Sequence, residues 1–202
     1  MSLIPNFDLP QLVYTFGYIG LFGIVFAETG LFFGFFLPGD SLLFTAGLLS
    51  SQGLFNIWVL TPLIIVGAVL GDSFGYWFGA KVGPKIFNQE DSLFFHKRHI
   101  ERTQKFYLKH GAKAVFLARF VPIVRTFVPI LAGVGGMPYK IFARYNILGG
   151  FVWGGGMTIL GYSLGKSVPG IERYLTLIII GIIAVSFLPI AYEFIKDRFF
   201  KK

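Results

Sequence analysis

The chain is 202 residues long, 54% hydrophobic and only 14% charged, with a mean hydropathy of +0.69, a net charge of +8 and no cysteine. A soluble domain of this length carries about 25% charged residues, so a water-soluble globule is excluded, and without cysteine so are disulfide frameworks and thiol chemistry. Several nearly charge-free windows approach the ~20 residues that cross a hydrocarbon core of roughly 30 Å, which predicts an all-α polytopic membrane protein.

The N-terminus, "MSLIPNFDLP", has no Lys or Arg and no small-residue cleavage site, so it does not read as a secretory signal peptide. The first apolar segment, about Gln11 to Gly30, is long enough to span and carries Glu28 near its far end. Next comes Leu31 to Ser50, broken at its centre by Pro38 and Gly39, with Asp40 beside them. Each arm would be only about 10–15 Å long as helix, too short to cross alone. A helical hairpin that enters and leaves on one side fits better, its turn facing inward where protein or water can satisfy the backbone.

The third segment, about Phe55 to Gly79, reads as a full span in which Gly67, Gly71, Gly75 and Gly79 form a smooth packing ridge. That ridge could pack within one chain or between two, so an oligomer stays open. Trp58 and Trp77 suit interfacial belts. Residues 81–113 then hold eight basic and three acidic residues, a net +5 confined to one loop between membrane segments. That location points to the positive-inside signal and to anionic headgroups rather than to nucleic acid as partner. Part of this loop, Asp91 to Gly111, is expected to lie on the membrane as an amphipathic helix, with His96, His99 and His110 at its surface. Ala112 to Pro138 is again apolar and broken, by Pro122 and Pro129, with Arg119 and Arg125 inside. About Ile141 to Gly165 and Tyr174 to Ile195 read as spans, and the tail is basic.

A shift of 86 positions places Ala46-Gly47 on Ala132-Gly133, Gly75-Tyr76 on Gly161-Tyr162, and Gly79 on Gly165. The expected organisation is one membrane domain over 1–202: repeat 1 at about 31–80, the basic loop at about 81–113, repeat 2 at about 114–166, and a C-terminal span at about 174–195. With the basic loop and the C-terminus both cytoplasmic, the repeats are inverted and two opposed re-entrant hairpins meet near the midplane, bringing Glu28 and Asp40 towards Arg119 and Arg125. Interrupted helices meeting at mid-membrane are the recurring plan of secondary transporters.

Each charge buried at the centre of a membrane helix costs roughly 2.5–3.5 kcal/mol on insertion scales, so these four must pair or work. Arg suits a phosphate, because its planar donors engage two oxygens at once and it stays charged when buried. A carboxylate balanced between burial and a neighbouring arginine is suited to exchange a proton. Arg119 and Arg125 are therefore candidate phosphate-binding residues, and Glu28 and Asp40 candidates for ion pairing or proton coupling. Asp72, in "GDSFGYWFG", is an accessory candidate that could simply bond a neighbouring helix. No His, Cys and carboxylate spacing suggests a metal or a hydrolytic nucleophile, so no cofactor and no enzymatic activity are expected.

The segments "ETGLFFGFFLPGDSLLFTAG", "GDSFGYWFG" and "FLARFVPIVRTFVPILAGVGGM" resemble the signature segments of the DedA membrane proteins, of the VTT or SNARE-associated-like superfamily, which includes eukaryotic lipid scramblases. The resemblance runs from about Gly17 to the last span. It implies two opposed re-entrant hairpins, a place in the cell membrane, and for bacterial members translocation of undecaprenyl phosphate for carrier-lipid recycling. The essential acidic and arginine residues of that family map onto Glu28, Asp40, Arg119 and Arg125. Membrane lipids are thus the expected partners, a lipid phosphate above all, with its prenyl tail free to stay in lipid beside the site. Passive phospholipid scrambling and proton-coupled ion or small-solute antiport are the alternatives.

Overall fold

A computed structural model describes residues 9–31, 34, 39–87, 113–168, 170, 171, 177, 178, 180 and 181, with side chains from residue 17 onward except those of 83–87, 122 and 123. Pro38, most of the basic loop with its histidines, and most of the expected C-terminal span lie outside the described residues. Among the described residues every regular element is helical. These are α1 (Leu9–Gly30), α2 (Gly39–Ser51), α3 (Ile57–Phe87), the short α4 (Lys113–Ala118), α5 (Pro122–Val134), α6 (Tyr139–Gly150) and α7 (Gly156–Ser167). A π-helical turn, Phe151–Gly155, joins α6 to α7, so Tyr139–Ser167 is one long interrupted helix. That helix and α3, over Ile57–Val82, are long and apolar enough to cross a membrane.

Local chemistry sets the helix ends. Asn56 caps α3: its side-chain oxygen accepts the Trp58 amide at 2.9 Å, and its own amide donates to the Tyr18 hydroxyl at 2.8 Å. α2 and α5 terminate alike. Gly53 (φ +88°) lets Leu54 donate back to the Leu49 carbonyl, and Gly136 (φ +69°) lets Met137 donate back to that of Ala132. Both are left-handed glycine stops that satisfy otherwise orphaned carbonyls.

The second broken segment differs from expectation. Its break lies at Arg119–Val121, between α4 and α5, and Pro129 makes no turn: it sits inside α5. Pro122 occupies the opening of α5, where its missing N–H costs nothing. Pro129 forfeits one helical bond, to the carbonyl of Arg125, yet the helix continues because Pro129 is buried against α3, where Gly75 leaves room for it. Gly39, also expected in a turn, is the first residue of α2. α3 continues eight residues beyond Gly79, so Lys81 and Lys85 are helical and Trp77 lies within the span rather than at its end. Lys81 covers the Trp77 ring at 4.7 Å.

The glycine ridge of α3 packs inside this chain. Gly67 and Gly71 meet Phe22, Phe26 and Thr29 of α1, while Gly75 and Gly79 meet Pro129 and Ile130 of α5. α2 lies against α7 in the same way: Gly47 abuts the backbone of Thr158 and Tyr162, and Gly161 that of Phe44. Phe44 with Gly161 and Ile130 with Gly75 are exchanged by the shift of 86 positions, as are Gly47 with Tyr162 and Gly133 with Tyr76.

At Gly47 and Gly133 the facing backbone leaves no space for a Cβ. Gly133→Ala is therefore expected to destabilise the protein by about 1–3 kcal/mol, the usual cost of overpacking, seen as a lower unfolding midpoint in detergent. Gly20→Ala and Gly23→Ala, where a Cβ meets nothing within 4 Å, should leave that midpoint unchanged or raise it. Equal midpoints for all three would contradict the packing described.

Candidate functional site

Two charge clusters lie between the helices, joined by one tryptophan. The first is built where three helix ends meet. Glu28, in the last turn of α1, is fully buried, and its Oε1 accepts the Gly39 amide at 3.1 Å and pairs with Arg125. A Cβ at Gly39 would fall where the Glu28 carboxylate now lies, so a larger residue there displaces that carboxylate. Asp40, in the first turn of α2, accepts from Arg125 Nη1 at 2.9 Å through Oδ1. Arg125, in the first turn of α5 and only 4% exposed, thus holds a carboxylate from α1 and another from α2. The N-terminal ends of α2 and α5, each with its positive dipole end, meet at this guanidinium.

The second cluster differs from expectation. Arg119, at the break between α4 and α5, turns away from Glu28 and Asp40 and pairs with Asp72 at 2.6 Å. Asp72 is 2% exposed, on the buried face of α3. Arg119 Nη2 also donates to the side-chain oxygen of Asn146 and, at 3.3 Å, to the Ala68 carbonyl. Asn146 in turn donates to the Val69 carbonyl at 3.0 Å and the Ser73 hydroxyl at 3.3 Å, tying α6 to α3. The stem of Arg119 crosses Gly149, where no Cβ would fit beside it.

Trp153, in the π-turn and 3% exposed, joins the two. Its indole N–H donates to Asp40 Oδ1 at 2.6 Å, and its ring faces Arg125 at 4.9 Å and Arg119 at 5.8 Å. Both separations lie within cation–π range. π-turns insert an extra residue and recur at functional sites; this one carries an aromatic ring that both guanidiniums share.

Sequence reasoning missed Asn146 and Trp153. Both had a signal: a carboxamide inside an apolar span and an indole at its midpoint, where polar and amphipathic side chains are uncommon. Of the five charged candidates, Glu28, Asp40 and Arg125 come together, and Arg119 with Asp72 forms the neighbouring pair. Among the described residues no group of three or more His, Cys, Asp or Glu converges as a set of metal ligands.

Two guanidiniums therefore face three carboxylates. Four buried polar atoms, Oε2 of Glu28, Nε of Arg125, and Nε and Nη1 of Arg119, have no hydrogen-bond partner among the described residues. Three of the four are donors, so the cluster holds unused capacity for an anion's oxygens.

An all-helical bundle with spans long enough for a bilayer and a charged interior is the architecture of a polytopic membrane protein. The VTT domain matches residues 37–163. Protein DedA of Escherichia coli is 44% identical over 195 residues, 94% of this chain and 89% of that protein. An uncharacterized membrane protein of Mycobacterium leprae is 48% identical over 166 residues, 82% of this chain and 74% of that one. The inner membrane protein YghB of Escherichia coli is 34% identical over 161 residues, 78% and 71% of the two chains. The chain belongs to the DedA family of VTT-domain membrane proteins. No solved structure matches it significantly.

Proposed function

We propose that this protein moves a lipid phosphate, most specifically undecaprenyl phosphate, across the cytoplasmic membrane, and that the movement is coupled to protons. Arg119 and Arg125 bind the phosphate, and Glu28 and Asp40 release Arg125 to it when they take up protons. The observation that carries this reading is Arg125, buried and shared by two carboxylates where the first turns of α2 and α5 meet. Half-helix N-termini aimed at an anionic group are how interrupted-helix transporters hold such substrates. A phosphate can replace the carboxylates at Arg125 only if their charge is removed, which makes protonation the natural partner of binding. The lipid itself is inferred from family resemblance.

The accompanying architecture is a single membrane domain with two opposed re-entrant hairpins in an inverted repeat. It is supported by the alike glycine stops of α2 and α5 and by contacts that exchange under the shift of 86 positions. The five site charges do not repeat under that shift, so the two halves contribute to one composite site. The basic loop, 81–113, and the C-terminus face the cytoplasm in this reading.

Proton coupling is tested by following lipid-phosphate transfer in liposomes with and without a pH gradient. Glu28→Gln and Asp40→Asn preserve shape and hydrogen-bonding oxygens. Each is expected to remain folded, to keep a residual transfer rate and to lose stimulation by the gradient. Full stimulation in both variants would exclude these carboxylates as the coupling groups.

A further inference from the structure

Two donors from different elements share one acceptor atom, Asp40 Oδ1: Arg125 Nη1 of α5 at 2.9 Å, and the indole N–H of Trp153 in the π-turn at 2.6 Å. A guanidinium and an indole thus converge on a single oxygen position. The Asp40 side chain is 20% exposed, against 4% for Arg125 and 0% for Glu28. Of these three paired side chains, Asp40 is therefore the one that an incoming group can reach and displace.

The indole is held where it is. Trp153 is 3% exposed, and it belongs to the apolar core that includes Val25, Leu43 and Ile64. Glycines press the surrounding turn against α3: a Cβ at Gly150 would come within 2.9 Å of Val69 Cγ2, and one at Gly154 within 3.2 Å of Ile64 Cγ2. Backbone packed this closely keeps the turn in place. An indole is a donor only and carries no charge. It can hold an anion's oxygen without changing the balance of two guanidiniums against three carboxylates.

We propose that Trp153 is a ligand of the transported phosphate: once Asp40 is protonated, the indole N–H and Arg125 Nη1 pass together from Asp40 Oδ1 to a phosphate oxygen. The inference rests on the lipid-phosphate reading above. A neutral carboxyl is a weaker acceptor than a carboxylate, whereas a phosphate oxygen is a charged one, so both bonds gain by the exchange. No proton leaves the indole; only its acceptor changes.

Binding of farnesyl monophosphate to the full chain in phosphatidylcholine nanodiscs tests this, with farnesol as the same tail without a phosphate. Trp153 is replaced by benzothienylalanine, which keeps the bicyclic ring but has sulfur in place of the N–H. With Asp40 charged, that loss is felt both with and without the phosphate and largely cancels. The comparison is therefore made in Asp40→Asn, which stands in for protonated Asp40 and leaves only a neutral bond to lose in the unliganded protein. There the replacement should weaken farnesyl monophosphate binding about ten-fold, with helical circular dichroism unchanged. Unchanged affinity would overturn the proposal and leave the lipid-phosphate reading standing. A second readout keeps Trp153 itself. Trp58 and Trp77 are exposed, so Trp58→Phe with Trp77→Phe leaves one indole N–H proton resonance, which should shift with farnesyl monophosphate and not with farnesol. Saturable binding that leaves this resonance unmoved would also overturn the proposal. Failure of the wild type and Asp40→Asn alike to bind farnesyl monophosphate would remove the lipid-phosphate reading and this inference together.

Discussion

Arg125→Ala is expected to abolish the proposed lipid-phosphate transfer and to weaken the fold together. The substitution strands Glu28, which is fully buried, and leaves Asp40 with Trp153 but without its cation. Breaking a buried pair by removing one partner costs about 3–5 kcal/mol, measured as a lower unfolding midpoint. Losing even 3 kcal/mol of interaction with the moving phosphate slows transfer about 100-fold. Arg125→Lys keeps the charge but not the fork that reaches Glu28 through one Nη and Asp40 through the other, so transfer should stay low while stability partly returns. The triple variant Glu28→Gln, Asp40→Asn, Arg125→Met removes all three charges at once. It should regain stability and remain inactive, which separates the role of the charges in transport from their role in folding. Wild-type transfer by the triple variant would make the cluster purely structural.

The second large effect concerns Arg119 and Asp72. Asp72→Ala leaves Arg119 buried with, among the described residues, the Asn146 oxygen and the Ala68 carbonyl as hydrogen-bond acceptors and the Trp153 ring beside it, and an uncompensated buried charge again costs about 3–5 kcal/mol. Replacing both with apolar residues, Arg119→Leu with Asp72→Leu, is commonly neutral or stabilising for a buried pair, so the double variant should fold. Because Arg119 shares Trp153 with Arg125 and carries unused donors, transfer by the double variant should remain far below wild type. Recovery of both folding and transfer would reduce Arg119–Asp72 to a lock between α3 and the α4–α5 break.

The charged interior was legible in the sequence because an ionised group in an apolar run is too costly to be incidental. Glu28, Asp40, Arg119 and Arg125 stand out on that cost alone, before any geometry. The pairing was not legible. Arg119 and Arg125 straddle a helix break, where periodicity no longer says which way a side chain points, and they turn to different partners. Asp72 read as an accessory because a lone carboxylate can simply bond a neighbouring helix; its partner is 47 positions away in sequence, at the break between α4 and α5. Pro129 read as a turn because proline breaks isolated helices, yet tertiary packing outweighs a penalty of about 3 kcal/mol. The π-turn has no sequence signature beyond its glycines, and Trp153 signals itself only by its place at the midpoint of a span. The glycine ridge of α3 was visible from its spacing, but only the folded chain shows that its two halves serve α1 and α5 in turn.

Substrate selectivity tests the proposed transport most directly. Purified protein in liposomes containing labelled undecaprenyl phosphate or labelled phosphatidylcholine allows transfer of each lipid between leaflets to be followed for the wild type and for Arg125→Ala. The account predicts transfer of the lipid phosphate in preference to phosphatidylcholine, faster under a pH gradient and absent in the variant. Equal, gradient-independent movement of both lipids would make the protein a passive scramblase and contradict it, as would movement of neither by protein shown to be folded.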